Sequence, residues 1–132
     1  MTRYPVKILV AFGEAIDGNE KIFGWLLKNG YPELAALSKA IRGSEEANQW
    51  LIKNGFPQYA ALDMAIVKDK KAFDWLVKYK FDLLAKLALA AQGDANAIRW
   101  FAIQDLQIFI RIAKKIKAFT DGQIFDYHKI HF

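Results

Sequence analysis

The chain contains no cysteine, only three prolines and two histidines, and no long apolar run. Without cysteine there are no disulfides, no thiolate metal sites and no thiol nucleophile, a usage that fits a reducing compartment. The longest apolar run near the start, Ile8 to Phe12, is too short for a signal-peptide core or a membrane span. It reads as the first helix of a cytoplasmic protein with no membrane contact. His128 and His131 stand three apart in the tail and would share a helix face. With no other histidine and no cysteine to complete a ligand set, no metal site and no cofactor are expected. Ser/His/Asp sets, G-x-S-x-G, a Walker loop and G-x-G-x-x-G are all missing, so no enzyme is expected.

What the chain does have is enough for one domain. Its 132 residues are 54% hydrophobic and 25% charged, which supplies a core and excludes disorder. The net charge of +5 is uneven. Residues 1–66 balance seven Lys/Arg against seven Asp/Glu, while residues 67–132 hold twelve against seven. Solubility alone accommodates this charge, and an anionic partner for the second half would also explain it.

The dominant pattern is a repeat. Tryptophan recurs every 25 residues, at Trp25, Trp50, Trp75 and Trp100. Ala15, Ala40, Ala65 and Ala90 align with it, as do Leu26, Leu51, Leu76 and Phe101. Self-similarity at such a period marks a stacked array of supersecondary units. The expected fold is all-α, a right-handed α-solenoid of 25-residue helix-turn-helix repeats forming a single domain over 1–132. Repeats cover 15–39, 40–64, 65–89 and 90–114. Residues 1–17 form an N-terminal capping helix and 115–132 a C-terminal one, in which Phe125 takes the next tryptophan position. Helix packing distances make such an array roughly 50 Å long.

Each repeat holds two short helices. The first follows a capping column, Asn19, Ser44, Asp69 and Asp94, whose side chains can accept from a first-turn amide. It stops at Gly30 and Gly55. The second starts at Pro32 and Pro57, since proline suits a first helical turn, and ends at Gly18, Gly43 and Gly93. Alanine columns (Ala35, Ala60, Ala85 and Ala40, Ala65, Ala90) allow close backbone approach. Linkers of two or three residues require antiparallel neighbours.

The strings GNEKIFGWLLKNG from Gly18 and GSEEANQWLIKNG from Gly43 resemble the second helix of an ankyrin repeat. PELAALSKAIRG and PQYAALDMAI resemble its first helix more loosely. The ankyrin period is 33 residues, longer by about the length of its β-hairpin finger, and no T-P-L-H segment is present. The chain is thus similar to an ankyrin-like or short HEAT-like array lacking fingers. That resemblance implies partner binding, commonly through concave inner helices.

The tryptophan column is expected to be core, because large aromatics dominate cores and each Trp adjoins the Leu/Phe column; the competing reading is an exposed ladder for bases or peptides. Lys28, Lys53 and Lys78 sit where lysine complements a helix C-terminus, or where a phosphate track would run. In repeat three, Lys68 and Lys80 replace helix-ending glycines. Lys70 and Lys71 occupy a first turn where positive charge is unfavourable. Lys68, Lys70 and Lys71 are therefore a possible anion-binding set, against the plainer reading of a solvated loop. Along the second helices, a stripe at i, i+3, i+6 turns apolar and basic towards the C-terminus. Met64, Lys86, Leu89, Arg111 and Lys114 are the expected contact set for a protein or acidic peptide on the concave face. The alternative partner is nucleic acid or a phosphate ligand, held by Lys68, Lys70, Lys71, Arg111, Lys114, Lys115 and Lys117.

Overall fold

Every helix boundary predicted from caps and glycines is met by a matching hydrogen bond in the backbone. The computed structural model describes the backbone of residues 1–130 and the side chains of residues 1–123. Among these residues the secondary structure is helical, with no strand. Four helices carry the tryptophans: α2 (Glu20–Lys28), α4 (Glu45–Lys53), α6 (Lys70–Lys78) and α8 (Ala95–Ile103). They alternate with α1 (Val6–Ile16), α3 (Pro32–Ile41), α5 (Pro57–Ile66), α7 (Asp82–Ala91) and the long α9 (Gln107–Ile130).

The capping column works as expected. Asn19, Ser44, Asp69 and Asp94 accept from the amides of Ile22, Ala47, Ala72 and Ala97, at 3.1–3.2 Å. At the other end of each Trp helix, the amides of Tyr31, Phe56, Phe81 and Leu106 donate back to the carbonyls of Leu26, Leu51, Leu76 and Phe101, at 2.8–2.9 Å. This closing bond needs a left-handed residue just before it. Glycine supplies it at Gly30 and Gly55, but Lys80 (φ 64°) and Asp105 (φ 57°) adopt it too, and Lys68 (φ 68°) does so in the companion column.

The odd-numbered helices pack in sequence, α1 on α3, α3 on α5, α5 on α7 and α7 on α9, and α9 then packs on α1. The inner layer is therefore a closed ring of five helices. The all-helical array of paired helices expected from the repeat is present, and its first and last inner helices are in contact. Ala35, Ala60, Ala85, Ala40, Ala65 and Ala90 are all buried in these inner helices, and their short side chains leave room for neighbouring backbones to approach closely. At the seam, Gly13 leaves room for the stem of Lys115, whose Cδ would stand 3.1 Å from an added Cβ. Lys115 pairs with Glu14 at 3.7 Å and with Asp17. Arg42 ties the ring further, donating to the Ile16 carbonyl at 2.9 Å and lying over the Phe119 ring.

The expected boundary at residue 114/115 is not a break, because α9 is continuous across it. Ala118 stands in the column of Gly18, Gly43 and Gly93, and without a helix-ending residue the helix runs on.

Candidate docking grooves

Each outer helix rests on two consecutive inner helices, and the outer helices make no substantial contact with one another. Ring closure dictates this. Five helices at a packing distance of 8–10 Å hold the helices seated over their outer notches roughly 17 Å apart, well beyond packing distance. The space between them is a groove floored by the outward side of an inner helix.

Trp50 and Trp75 line these grooves, and no tryptophan is fully buried, which corrects the expectation that the column is core. Trp25 and Trp50 are 43% and 36% exposed, and Trp75 and Trp100 are half-buried. The fully buried column is the next residue, Leu26, Leu51, Leu76 and Phe101. One step along a helix turns the side chain by about 100°, and both columns cannot point inward. Three of the indoles instead stack on the ring that opens the following inner helix. Trp25 lies on Tyr31, Trp50 on Phe56 and Trp75 on Phe81, with centroids 6.4, 6.3 and 5.7 Å apart and planes within 13°.

Two grooves are open and apolar. The first, about 350 Å³, lies between α2 and α4: Pro32 and Ala36 form its floor, Phe23 and Leu27 one wall, and Ala47 and Trp50 the other. The second, about 360 Å³, lies between α4 and α6: Pro57, Ala61 and Met64 form the floor, Asn48 and Ile52 one wall, and Ala72 and Trp75 the other. The third interval differs. Lys86 stands where the others have Ala36 and Ala61, and its ammonium lies 5.8 Å from the centroid of the Trp100 ring.

The five residues expected to share a concave face are thus distributed round the outside of the ring. Met64 is an exposed part of the second groove. Lys86 crosses the third interval, and Leu89 is half-buried against the core. Arg111 is exposed beside the α1–α9 cleft, and Lys114 is exposed on α9. The anion-binding candidates Lys68, Lys70 and Lys71 are all exposed around the α5–α6 turn, where Asp69 already caps the helix, and Lys71 reaches the rim of the second groove. Lys115 and Lys117 are engaged in ion pairs, with Glu14 and Asp17 and with Asp121. The side chains of Phe125 and His128, and all of His131, lie outside the described residues.

Sequence reasoning missed one polar pair. Asn48 donates to the Asp63 carboxylate at 2.8 Å and to the Ala60 carbonyl at 3.2 Å. Burial pushes the Asp63 carboxyl above its usual range, and the Asn48 bond only partly offsets it. The signal was present in the columns: Asn48 aligns with Phe23, Phe73 and Ile98, and Asp63 with Ser38, Ala88 and Ala113. Asp63 opens on a depression of about 390 Å³ shared with Glu45, Gln49, Met64 and Val67.

At the ends where α5 and α7 begin, Tyr4, Tyr59, Gln58, Arg3, Lys80 and Asp82 surround a cleft of about 510 Å³. The Tyr59 hydroxyl donates to that of Tyr4 at 3.3 Å, and Tyr4 donates to Glu33 at 3.2 Å. Burial raises both phenols above their ordinary range, so at neutral pH they are protonated hydrogen-bond donors.

Searches against family models, curated proteins and solved structures found no match to this chain.

Proposed function

We propose that the chain is a helical-repeat array curled until its ends meet, and that it acts as a non-catalytic module binding an extended segment of a partner protein. The observation that carries this reading is the pair of consecutive grooves, α2/α4 and α4/α6, built from matching columns: a proline and an alanine on the floor and a tryptophan on the wall. Large exposed aromatics in clefts are typical anchoring partners. The likeness of the helix pairs to ankyrin repeats supports the same reading. Grooves roughly 17 Å apart correspond to about five residues of extended chain at 3.3 Å each. The partner segment would carry two large apolar residues at that spacing, and acidic residues would suit Lys71 at the rim.

Repeat three supplies the control, since it accommodates lysine at the floor position. Ala36→Lys and Ala61→Lys copy Lys86 and should fold. A random-peptide display selection on the wild-type protein is expected to enrich apolar pairs about five residues apart, by the same extended-chain rise. Binding of those peptides should be lost in the double variant and kept in Arg111→Glu. Enrichment of no peptide, or peptides held equally by the double variant, would refute the reading.

A further inference from the structure

The four outer helices run in one direction and end at the same end of the ring. Each last turn buries one residue (Leu26, Leu51, Leu76 or Phe101) and leaves others in water. Leu27, Ile52 and Val77 occupy one column there, 47%, 55% and 49% exposed, and Ile103 closes α8 at 73%. The core does not require these side chains, and the helix dipole explains the neighbouring lysines but not the apolar residues. Lys28, Lys53 and Lys78 stand in the same turns, all exposed, and Lys80 and Arg3 add to that end. Among the described residues the carboxylates there are Asp82, Asp105 and Glu33, the last bonded to the Tyr4 hydroxyl. At the opposite end, outer helices α2 and α4 begin with Glu20, Glu45 and Glu46. Of the exposed large apolar side chains, Met64 and Val67 lie towards that opposite end.

The result is a rim of separate apolar tips, three of them (Leu27, Ile52 and Val77) directly followed by a lysine, while Ile103 takes the lysine position itself in α8. Leu27 and Ile52 also reach the groove walls, but Val77, Tyr79 and Ile103 line neither open groove, so a partner covering the whole rim must accept scattered insertions rather than fill a cleft. A fluid surface with hydrocarbon beneath negative headgroups does so without shape complementarity. Tryptophan and tyrosine favour that interface, and Trp25, Trp50 and Tyr79 stand within a turn of the tips. We propose that this end of the ring docks on an anionic lipid bilayer, with Leu27, Ile52, Val77 and Ile103 inserting and Lys28, Lys53 and Lys78 meeting the headgroups.

The test is co-sedimentation with vesicles of phosphatidylserine and phosphatidylcholine, against phosphatidylcholine alone. Wild type should bind the anionic vesicles and bind neutral ones far less. Each lysine near an anionic surface contributes roughly fivefold, so Lys28→Glu/Lys53→Glu/Lys78→Glu should weaken partitioning by about a hundredfold or more. Val77→Ser/Ile103→Ser should weaken it with all charges intact and with both open grooves untouched. Lys70→Glu/Lys71→Glu, at the opposite end, should change it little. Circular dichroism of each variant confirms its fold. Failure of the wild type to bind anionic vesicles, as expected if the rim instead serves an acidic protein, would overturn the proposal. So would an equal loss in the Lys70/Lys71 variant, since binding would then follow net charge alone.

Discussion

Lys115 on α9 pairs with Asp17, the residue that caps the end of α1 98 positions earlier in the chain, and its stem lies across Gly13. The pair lies where the last helix of the array packs on the first. Part-exposed ion pairs are worth about 0.2–1 kcal/mol. Lys115→Ala should therefore lower unfolding stability by about that amount, read by urea denaturation, and the loss should shrink in high salt. Lys115→Glu should cost more, through repulsion with Glu14 and Asp17. Adding Glu14→Lys and Asp17→Lys should restore stability. A swap without recovery would mean that α9 does not rest on α1.

Adjacent residues in α4 separate groove from core. Leu51 is fully buried, and Leu51→Ala should cost about 2–5 kcal/mol. Trp50 is partly exposed and stacks on Phe56. Trp50→Ala should cost about 1–2 kcal/mol, part of it from lost stacking. Equilibrium denaturation of the two variants should show this order, and the reverse order would return the tryptophan column to the core.

Lys68 and Lys80 hold left-handed backbone that side chains resist by about 1–2 kcal/mol per residue. Glycine removes that strain but is freer in the unfolded chain. Lys68→Gly and Lys80→Gly should each raise stability by about 0.5–1 kcal/mol after this offset. Lys80→Ala should give no such gain.

Asp63 makes stability depend on pH. Its folded carboxyl titrates above its unfolded value because burial disfavours the charge. Between those two values the folded state holds a proton that the unfolded state has lost, so this group's contribution falls as pH rises. Above the folded value the whole cost is present, and below the unfolded value, about 3.9, it vanishes. Asp63→Asn should accordingly stabilise the protein at pH 7, with a gain that fades towards pH 3. A pH-independent difference between the two proteins would assign the effect to packing instead.

The local structure was legible because its causes are local. Caps at Asn19, Ser44, Asp69 and Asp94, prolines at first turns and helix-ending residues act within a few positions of themselves, and all appear where the columns place them. The candidate grooves were half legible. Met64 was singled out from its stripe and does line a groove. Its assignment to an inner concave face failed because periodicity identifies which residues share a stripe but not which way that stripe looks. The Trp column was misplaced for a related reason: two adjacent apolar columns compete for one buried direction, and packing chose Leu26, Leu51, Leu76 and Phe101.

The sequence by itself determined the helices, their order and their 25-residue period, since turn chemistry and hydrophobic spacing depend on neighbours along the chain. Only the tertiary structure decided that the ends meet and that grooves open between the outer helices. Closure brings together residues nearly a hundred positions apart, such as Asp17 and Lys115, and caps, turns and helical spacing act only over a few positions, so no local pattern encodes that meeting.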